Sequence, residues 1–182
     1  MFEALLKLLA RELDRAQIPY MIIGGQAVQL YGEPRMTRDI DLTLGLDSKG
    51  LDRVLRVCGA CELKPLPAAP AEFVRETMVL PALEERTGIR VDFVFSFTDY
   101  ERQAIDRSRP VEIGGVSVRF AAAEDIVIHK LVAGRPRDLE DVRSIVVKNP
   151  GLDRAYVEEW LGGFDRALDR DITSSFRRLL GS

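Results

Sequence analysis

The sequence predicts an α/β fold of the α+β kind, with a small mixed sheet flanked by helices and a C-terminal helical segment. Short apolar runs alternate with amphipathic helical stretches through the first 120 residues. From residue 121 onward the pattern is helical and is divided only by prolines. We therefore expect an α/β core over residues 1–120 and a helical segment packing on it over residues 121–182.

The first three elements follow from periodicity and from the residues that interrupt it. Leucines recur at helical spacing between charges over residues 3–16, which predicts an amphipathic helix that Gln17-Ile18-Pro19 breaks. The apolar run Tyr20-Met21-Ile22-Ile23 predicts a buried strand. Residues 25–31 then predict a short helix, which Gly32-Glu33-Pro34 stops.

The middle of the core is predicted with the same rules. Residues 40–46 form a second apolar run, and Asp47-Ser48 predicts the N-cap of a helix that reaches about residue 58. The proline-rich residues 63–70 indicate a loop. Residues 73–80 are expected to form a strand.

The last core elements have stronger signals. Residues 89–95 alternate and are rich in β-branched side chains, which predicts a strand. Thr98-Asp99 predicts the cap of a short helix to about residue 107. Residues 111–118 contain a Gly-Gly pair between two alternating runs, which is typical of a hairpin.

Composition and charge narrow the functional classes. Apolar residues make up 46% of the 182 residues and charged residues 30%, which is ordinary for a soluble globular protein. No run approaches the ~20 apolar residues of a membrane span, and charges interrupt residues 1–14 where a secretion signal would be apolar. We therefore expect a cytoplasmic protein with no membrane partner.

The net charge of −3 excludes a global basic field for nucleic acid. Arginines nevertheless cluster locally, and such patches can receive a phosphate-rich partner. For each arginine taken singly, a solvated surface position is the simpler interpretation. The clustered arginines are Arg102, Arg107 and Arg109, then Arg135, Arg137 and Arg143.

Cys58 and Cys61 have the CxxC spacing of a redox pair. They lie at the end of a predicted helix, where no helix dipole would stabilise a thiolate. The chain has one histidine, so these cysteines cannot complete a four-ligand zinc site without carboxylates. We expect a structural role for both.

A glycine pair and an acidic pair are the most informative residues of the chain. Gly24-Gly25, called here the glycine corner, directly follows the first strand. Glycines at a strand-to-helix turn allow backbone N–H groups to approach a phosphate, and the helix dipole favours the anion. Asp39 and Asp41 open the second strand at i, i+2 spacing, so their side chains share one face roughly 7 Å apart along the strand. Such carboxylates can hold divalent cations on a nucleotide.

Asp92 lies between Val91 and Phe93 inside an apolar strand. A carboxylate there is costly unless it is paired or binds a metal. If its strand lies beside that of Asp39, three carboxylates converge. Asp92 could instead form a salt bridge with Arg90 or face water, and the sequence leaves these alternatives open.

The residues at helical spacing around Lys130 are apolar or small, so this lysine lies on the apolar face of the predicted helix and not on a solvated face. It could extend to the surface, or it could reach into a cleft and neutralise a triphosphate. Asp138 follows Pro136 in the first turn of the next helix, where the helix dipole alone explains an acid. Together with Arg137, Asp138 could also line a substrate cleft.

These residues resemble the polymerase-β-type nucleotidyltransferase superfamily. The pattern of that superfamily is an apolar strand, Gly-Gly or Gly-Ser, a short spacer, Asp-x-Asp, and a third Asp on a later strand. Here thirteen residues separate Gly25 from Asp39, and the stretch from Arg35 to Leu42 matches closely. Lys130-Leu131-Val132-Ala133, followed by residues 137–141, is similar to the AbiEii-like branch, which contains the toxins of toxin–antitoxin pairs.

The resemblance implies the fold of that superfamily and transfer of an NMP from an NTP to an acceptor hydroxyl or phosphate, with release of pyrophosphate. It implies that Asp39, Asp41 and Asp92 are catalytic and bind Mg²⁺ or Mn²⁺. ATP is one candidate NTP, and tRNA, a protein or a small molecule could be the acceptor. A cognate antitoxin is a further possible partner. The residues implied in nucleotide and phosphate binding are Gly24, Gly25, Arg38 and Lys130.

Three other classes of function compete with nucleotidyl transfer. A catalytically inactive nucleotide-binding or protein-interaction module on the same fold is the alternative, although the intact acid set argues against it. A dinucleotide-binding oxidoreductase would want Gly-x-Gly-x-x-Gly after the first strand, and a P-loop kinase would want Gly-Lys-Ser/Thr. Neither motif follows the glycine corner.

Overall fold

The computed structural model describes residues 2–34, 36–37, 39–96 and 98–181. The chain forms two compact units. The first unit comprises residues 1–26 and 36–121, and the second comprises residues 27–35 and 122–182. The division into domains at residues 120 and 121 stays a prediction.

The described part of the first unit carries one sheet of seven strands. The strands are β1 Tyr20–Ile23, β2 Asp39–Leu44, β3 Lys64–Pro65, β4 Val79–Glu84, β5 Ile89–Phe95, β6 Arg109–Ile113 and β7 Val116–Phe120. The helices of this unit are α1 Phe2–Arg15, α3 Leu51–Ala60, α4 Pro70–Thr77 and α5 Asp99–Asp106. Helix α2, Gly24–Tyr31, begins in the first unit and continues into the second.

The strand order is β3-β4-β5-β2-β1-β7-β6. Strand β2 is central because it pairs in parallel with β5 on one side and antiparallel with β1 on the other. The sheet is therefore mixed, and with its helices it confirms the predicted fold class. Alternate residues of β2 and β5 are fully buried in the core, namely Ile40, Leu42, Leu44, Val91, Phe93 and Phe95.

The period of two along a strand determines where the polar residues of β2 and β5 go. Because Ile40 and Val91 face the core, their neighbours Asp39, Asp41 and Asp92 point to the opposite face of the sheet. Farther along β2, this opposite face is covered, since Thr43 is fully buried. At the start of β2, by contrast, Asp39 is exposed and Asp41 is half-buried.

The predictions for residues 63–80 are wrong in two places: Lys64–Pro65 forms the short strand β3 inside the predicted loop, and the predicted strand over residues 73–80 begins as a helix. Residues 73–77 belong to helix α4 rather than to a strand, and the strand begins only at Val79. Pro70 stands in the first turn of α4, where proline fits a helix, and Met78 ends the helix in a left-handed conformation with φ 58°. Only Val74 of this helix is buried, so a weak apolar pattern did not distinguish helix from strand.

Other local signals are confirmed. Thr98 caps α5 in a capping box, because its backbone N–H donates to Glu101 Oε2 at 2.8 Å and its Oγ1 accepts from the Glu101 N–H. Gly114 and Gly115 both have positive φ and connect β6 to β7 in the predicted hairpin. None of the described helices combines the length and the hydropathy that a bilayer crossing requires.

The second unit is helical in its described residues. Its helices are α6 Ala123–Ala133, α7 Pro136–Lys148, α8 Arg154–Leu168 and α9 Ile172–Leu179. Tyr31 and Glu33 are joined to the second unit through hydrogen bonds to α7 and its C-terminal end. The Ser144 Oγ accepts from the Glu33 N–H at 2.6 Å, and the Asn149 amide donates to the Tyr31 carbonyl at 2.8 Å.

Candidate active site

The glycine corner lies directly against Asp41. Strand β1 ends at Ile23, which is paired with Asp41 of β2, and α2 begins at Gly24. Gly24 has φ +65°, and a Cβ at this position would stand 2.8 Å from Asp41 Cγ and 3.0 Å from Asp41 Cβ. Only glycine satisfies both the backbone conformation and the contact. The N-terminal turn of α2, with its unsatisfied N–H groups, therefore starts beside a carboxylate of β2.

Three carboxylates share one face of the sheet. Asp39 and Asp41 are two residues apart on β2, and the parallel register places Asp92 of β5 directly opposite Asp41. Neighbouring strands lie about 4.8 Å apart, so Asp41 and Asp92 are adjacent across the sheet. Asp39 is exposed, whereas Asp41 and Asp92 are half-buried. We call Asp39, Asp41 and Asp92 the carboxylate face.

A guanidinium group lies at the carboxylate face. Arg90 is opposite Asp39 in the register, and its Nε donates to Asp92 Oδ1 at 2.8 Å. This hydrogen bond raises the pKa of Arg90 above its ordinary value, and the charges of Asp92, Asp39 and Asp41 add to the effect. The salt bridge with Arg90, one of the alternatives that the sequence left open for Asp92, is present, and β5 also lies beside the strand of Asp39 and Asp41, as the convergence of the three acids required.

The carboxylate face has the donor chemistry that Mg²⁺ and Mn²⁺ prefer, because all three groups are carboxylate oxygens. In the described residues, however, no three His, Cys, Asp or Glu side chains are arranged closely enough to hold a metal ion. One oxygen of Asp92 is taken up by Arg90. The residues therefore fit such an ion by type and by face, and rearrangement of side chains would have to bring their oxygens together.

Lys130 is buried in the second unit and is bound by two acids. Its Nζ lies 2.7 Å from Asp138 Oδ1 and 2.9 Å from Asp141 Oδ2. The exposed fractions are 7% for Lys130, 2% for Asp138 and 6% for Asp141. We call these three residues the buried lysine cluster. The i, i+3 spacing of the two acids on α7 puts both on the face that meets Lys130.

Asp138 is ionised more readily than an ordinary aspartate. Burial by itself raises its pKa, but hydrogen bonds from Arg135 and Lys130 outweigh burial, and the pKa is lowered. The Arg135 Nε donates to Asp138 Oδ2 at 2.6 Å. The helix dipole is therefore not needed to explain this acid, because two cations hold it. The sequence interpretation missed Asp141 as a partner, although its spacing from Asp138 was a usable signal.

The remaining predicted site residues are distributed as follows. Gly25 is buried in the first turn of α2, and Arg137 is exposed on α7. Arg38 lies outside the described residues. The structure thus groups the glycine corner with the carboxylate face in the first unit, and Lys130 with Asp138 in the second. The roles of these residues in nucleotide binding stay predictions.

The thiols of the two cysteines have low reactivity. Both are buried, and burial raises the pKa of Cys58 and of Cys61 to about 12. A thiol with such a pKa is almost entirely protonated at neutral pH and reacts slowly. This agrees with the structural role expected from their position in the sequence.

Residues 1–161 match the model of the family described as "Nucleotidyltransferase of unknown function (DUF6036)". No curated protein is significantly similar to this chain in sequence. The match supports the resemblance to nucleotidyltransferases, whereas the AbiEii-like branch stays a prediction.

Several solved structures share the fold. The solution structure of the antibiotic-resistance factor ANT(2'')-Ia has a TM-score of 0.63 and 17% identity, covering 92% of each chain. ANT(2'')-Ia in complex with adenylyl-2''-tobramycin has a TM-score of 0.59 and 18% identity, covering 97% of each chain. An antigenic nucleotidyltransferase-like protein from Paracoccidioides brasiliensis has a TM-score of 0.57 and 18% identity, covering 96% of this chain and 91% of its own.

Proposed function

This chain belongs to the nucleotidyltransferase family that its sequence matches, and we propose that it transfers an NMP from an NTP to an acceptor through the carboxylate face. One observation carries the proposal: the three acids share one face of β2 and β5, and Asp41 touches Gly24 of the glycine corner. A phosphate site at the start of a helix is thereby adjacent to carboxylates of the kind that hold a divalent cation.

The residues of the first unit would divide the work as follows. Asp39, Asp41 and Asp92 would hold Mg²⁺ or Mn²⁺, which when bound polarises the phosphate and lowers the pKa of the acceptor hydroxyl. Backbone N–H groups of the glycine corner and of the first turn of α2 bind phosphate oxygens of the NTP. Because Gly24 has no side chain, the Asp41 carboxylate can pack directly against the glycine corner.

The reaction itself is an in-line displacement at the α-phosphorus. The acceptor oxygen forms a bond to phosphorus, and the bond from phosphorus to the oxygen bridging to the β-phosphate breaks. The hydroxyl proton passes to the Asp92 carboxylate, and pyrophosphate leaves with the electron pair of the broken bond. Backbone donors at the glycine corner stabilise the negative charge that develops on the leaving group.

Lys130 is predicted to contribute positive charge toward the phosphates, and this role stays a prediction. Its Nζ already has two carboxylate partners within 2.9 Å. A phosphate contact would require Nζ to share its hydrogen bonds between the buried lysine cluster and the nucleotide. Arg38 and Arg137 are proposed to bind phosphate and to line the substrate cleft, respectively.

The proposal is tested by supplying each labelled NTP with Mg²⁺ or Mn²⁺ and a cell extract, and by asking whether label appears on RNA, protein or a small molecule. Replacing Asp41 with Asn should reduce transfer by at least about 10²-fold while leaving thermal unfolding nearly unchanged. Asp52→Asn is the matched control, because Asp52 is an exposed acid of the same unit on α3. Transfer retained in Asp41→Asn would refute the assignment.

The inactive-module alternative makes a different prediction. A binding module would bind Mg-NTP in calorimetry without releasing pyrophosphate, whereas an enzyme would do both. The acceptor can be searched for in the same assay by adding tRNA, protein fractions and aminoglycosides. Tobramycin belongs in that panel because ANT(2'')-Ia, which shares the fold, is known in complex with adenylyl-2''-tobramycin.

Three finer proposals follow from the resemblance. ATP is proposed as the NTP, the protein is proposed to act in the cytoplasm, and it is proposed to be the toxin of a toxin–antitoxin pair. A toxin would arrest growth when expressed alone, and the Asp41→Asn variant would not. Growth that is unaffected by the active protein would remove the toxin proposal and leave the nucleotidyltransferase proposal in place.

A further inference from the structure

We propose that Arg90 is a positioning residue that serves as an internal counter-cation for the carboxylate face until a divalent cation replaces it there. This inference rests on the proposed function, since it assumes that the same carboxylates bind metal. The inference assigns a function to Arg90, for which the sequence suggested only a salt bridge with Asp92.

The position of Arg90 follows from the strand geometry. Arg90 and Asp92 are two residues apart on β5, so their side chains project from the same face of the sheet. The parallel register sets Arg90 opposite Asp39, just as it sets Asp92 opposite Asp41. The guanidinium therefore stands on the same face of two neighbouring strands as Asp39, Asp41 and Asp92.

Arg90 contacts Asp92 directly and lies opposite Asp39 in the strand register. Its Nε donates to Asp92 Oδ1 at 2.8 Å, which fixes the orientation of that carboxylate. Asp39 and Asp41 are close enough for their charges to act on the guanidinium as well. Three carboxylates on adjacent positions of two strands repel one another, and a cation among them offsets that repulsion.

Because the Arg90 side chain is partly exposed, it can move away from the carboxylate face and return to it. Its side chain is 49% exposed, whereas that of Asp92 is 21% exposed. A long side chain at the rim can swing into water when a more strongly charged cation approaches. A divalent ion would bind the same carboxylate oxygens and would be repelled by the guanidinium, so the two cations compete.

This competition predicts opposite effects of one substitution. Arg90→Gln should lower the stability of the metal-free protein, because Asp92 loses the guanidinium with which it is paired. The same substitution should strengthen binding of a divalent ion, because Asp92 is released and a repelling charge is gone. A residue that only supported the fold would weaken both properties.

The experiment measures thermal unfolding in EDTA and binding of Mn²⁺ alone, without nucleotide. Compared with the unmodified protein, Arg90→Gln should unfold at a lower temperature in EDTA, bind Mn²⁺ roughly 10-fold more tightly, and gain more stability from it. Added NaCl should shrink the difference in EDTA, since it screens the carboxylate repulsion. Arg90→Lys retains the charge and should stay close to the unmodified protein in both measurements.

Arg86→Gln is the matched control. Arg86 is an exposed arginine of the same unit that pairs with Glu84 at 3.3 Å, away from the carboxylate face. Its removal should leave the Mn²⁺ affinity unchanged. If Arg90→Gln cannot be purified in a folded state, the Mn²⁺ affinity of Arg90→Lys tests the inference in its place. An affinity more than 3-fold weaker than that of the unmodified protein would then overturn the inference.

The outcomes separate this inference from the proposed function. If the unmodified protein binds Mn²⁺, Asp41→Asn does not, and Arg90→Gln binds it no more tightly, the inference fails while the metal site stands. If neither the unmodified protein nor Arg90→Gln binds Mn²⁺, both the inference and the metal-dependent mechanism fail. Tighter binding in Arg90→Gln together with lower stability in EDTA supports both.

Discussion

Replacing Gly24 with Ala tests two consequences of a side chain at this position, namely strain of the backbone and a clash with Asp41. Gly24 has φ +65°, and an added Cβ would lie 2.8 Å from Asp41 Cγ. Gly88, in the turn between β4 and β5, has φ +71°, and an added Cβ there would meet no atom within 4 Å. Gly24→Ala therefore combines backbone strain with a clash against Asp41, whereas Gly88→Ala carries the strain alone.

The expected magnitudes follow from these two terms. A side chain in the left-handed region costs about 1–2 kcal/mol, which for a chain of this size is a fall of about 2–8 °C in Tm. Pushing Asp41 away from its preferred rotamer costs a further ~0.5–1.5 kcal/mol, or about 1–6 °C. The gain from restricting the unfolded chain is the same in both variants and cancels in their difference.

The assay combines calorimetric Tm with nucleotidyl transfer and Mn²⁺ binding. Gly88→Ala should lose stability and keep transfer, whereas Gly24→Ala should lose more stability and most of its transfer, because the displaced carboxylate is proposed to hold the metal. In an Asp41→Ala background, which removes Cγ and Oδ2, the effect of Gly24→Ala on Tm should shrink toward that of Gly88→Ala. Equal losses of stability and transfer in the two single variants would refute the reasoning.

The other predictions concern buried groups. Lys130→Met should lower the free energy of unfolding by about 3–5 kcal/mol in urea titrations, because the buried carboxylates of Asp138 and Asp141 lose their cation; a loss below about 1 kcal/mol would contradict the buried lysine cluster. The lowered pKa of Asp138 stabilises the protein fully above the ordinary value of 3.8, and this contribution is lost as the pH falls through the native pKa. As the pH is lowered from 6 to 2, the urea midpoint of Asp138→Asn should therefore fall less steeply than that of the unmodified protein. Equal slopes would count against this role of Asp138. Cys58 and Cys61, both with a pKa of about 12, should react with a thiol reagent only on unfolding, and rapid reaction of the native protein would show that they are accessible.

Local patterns were sufficient for the elements around the site. Strands β1 and β5 and the helix after the glycine corner are where periodicity and turn residues predicted them. The i, i+2 spacing of Asp39 and Asp41 determined that they share a face, since successive side chains of a strand alternate. Residues 73–77 were predicted wrongly because their few apolar residues fit either period, and packing of Val74 decided for a helix.

Local sequence patterns did not determine which groups the charged residues pair with. Arg90 and Asp92 are close in sequence, and their pairing was among the alternatives that the sequence offered. For Lys130, the sequence showed an apolar environment but not which groups would compensate the charge. The packing of α7 on α6 brings Asp138 and Asp141 to its Nζ. Burial of a cation in this way requires acids at hydrogen-bond distance, and that distance is a property of helix packing.

By itself, the sequence determined the kinds of groups in this protein: a glycine corner after a buried strand, two acids on one face of the next strand, and a third acid within an apolar run. Only the tertiary structure decided that Asp92 lies opposite Asp41, because β2 and β5 are far apart in the chain and their parallel register depends on packing of the whole sheet. The same packing sets Arg90 among the carboxylates. Side-chain chemistry is a local property of the chain, whereas the convergence of charges is decided by long-range strand pairing.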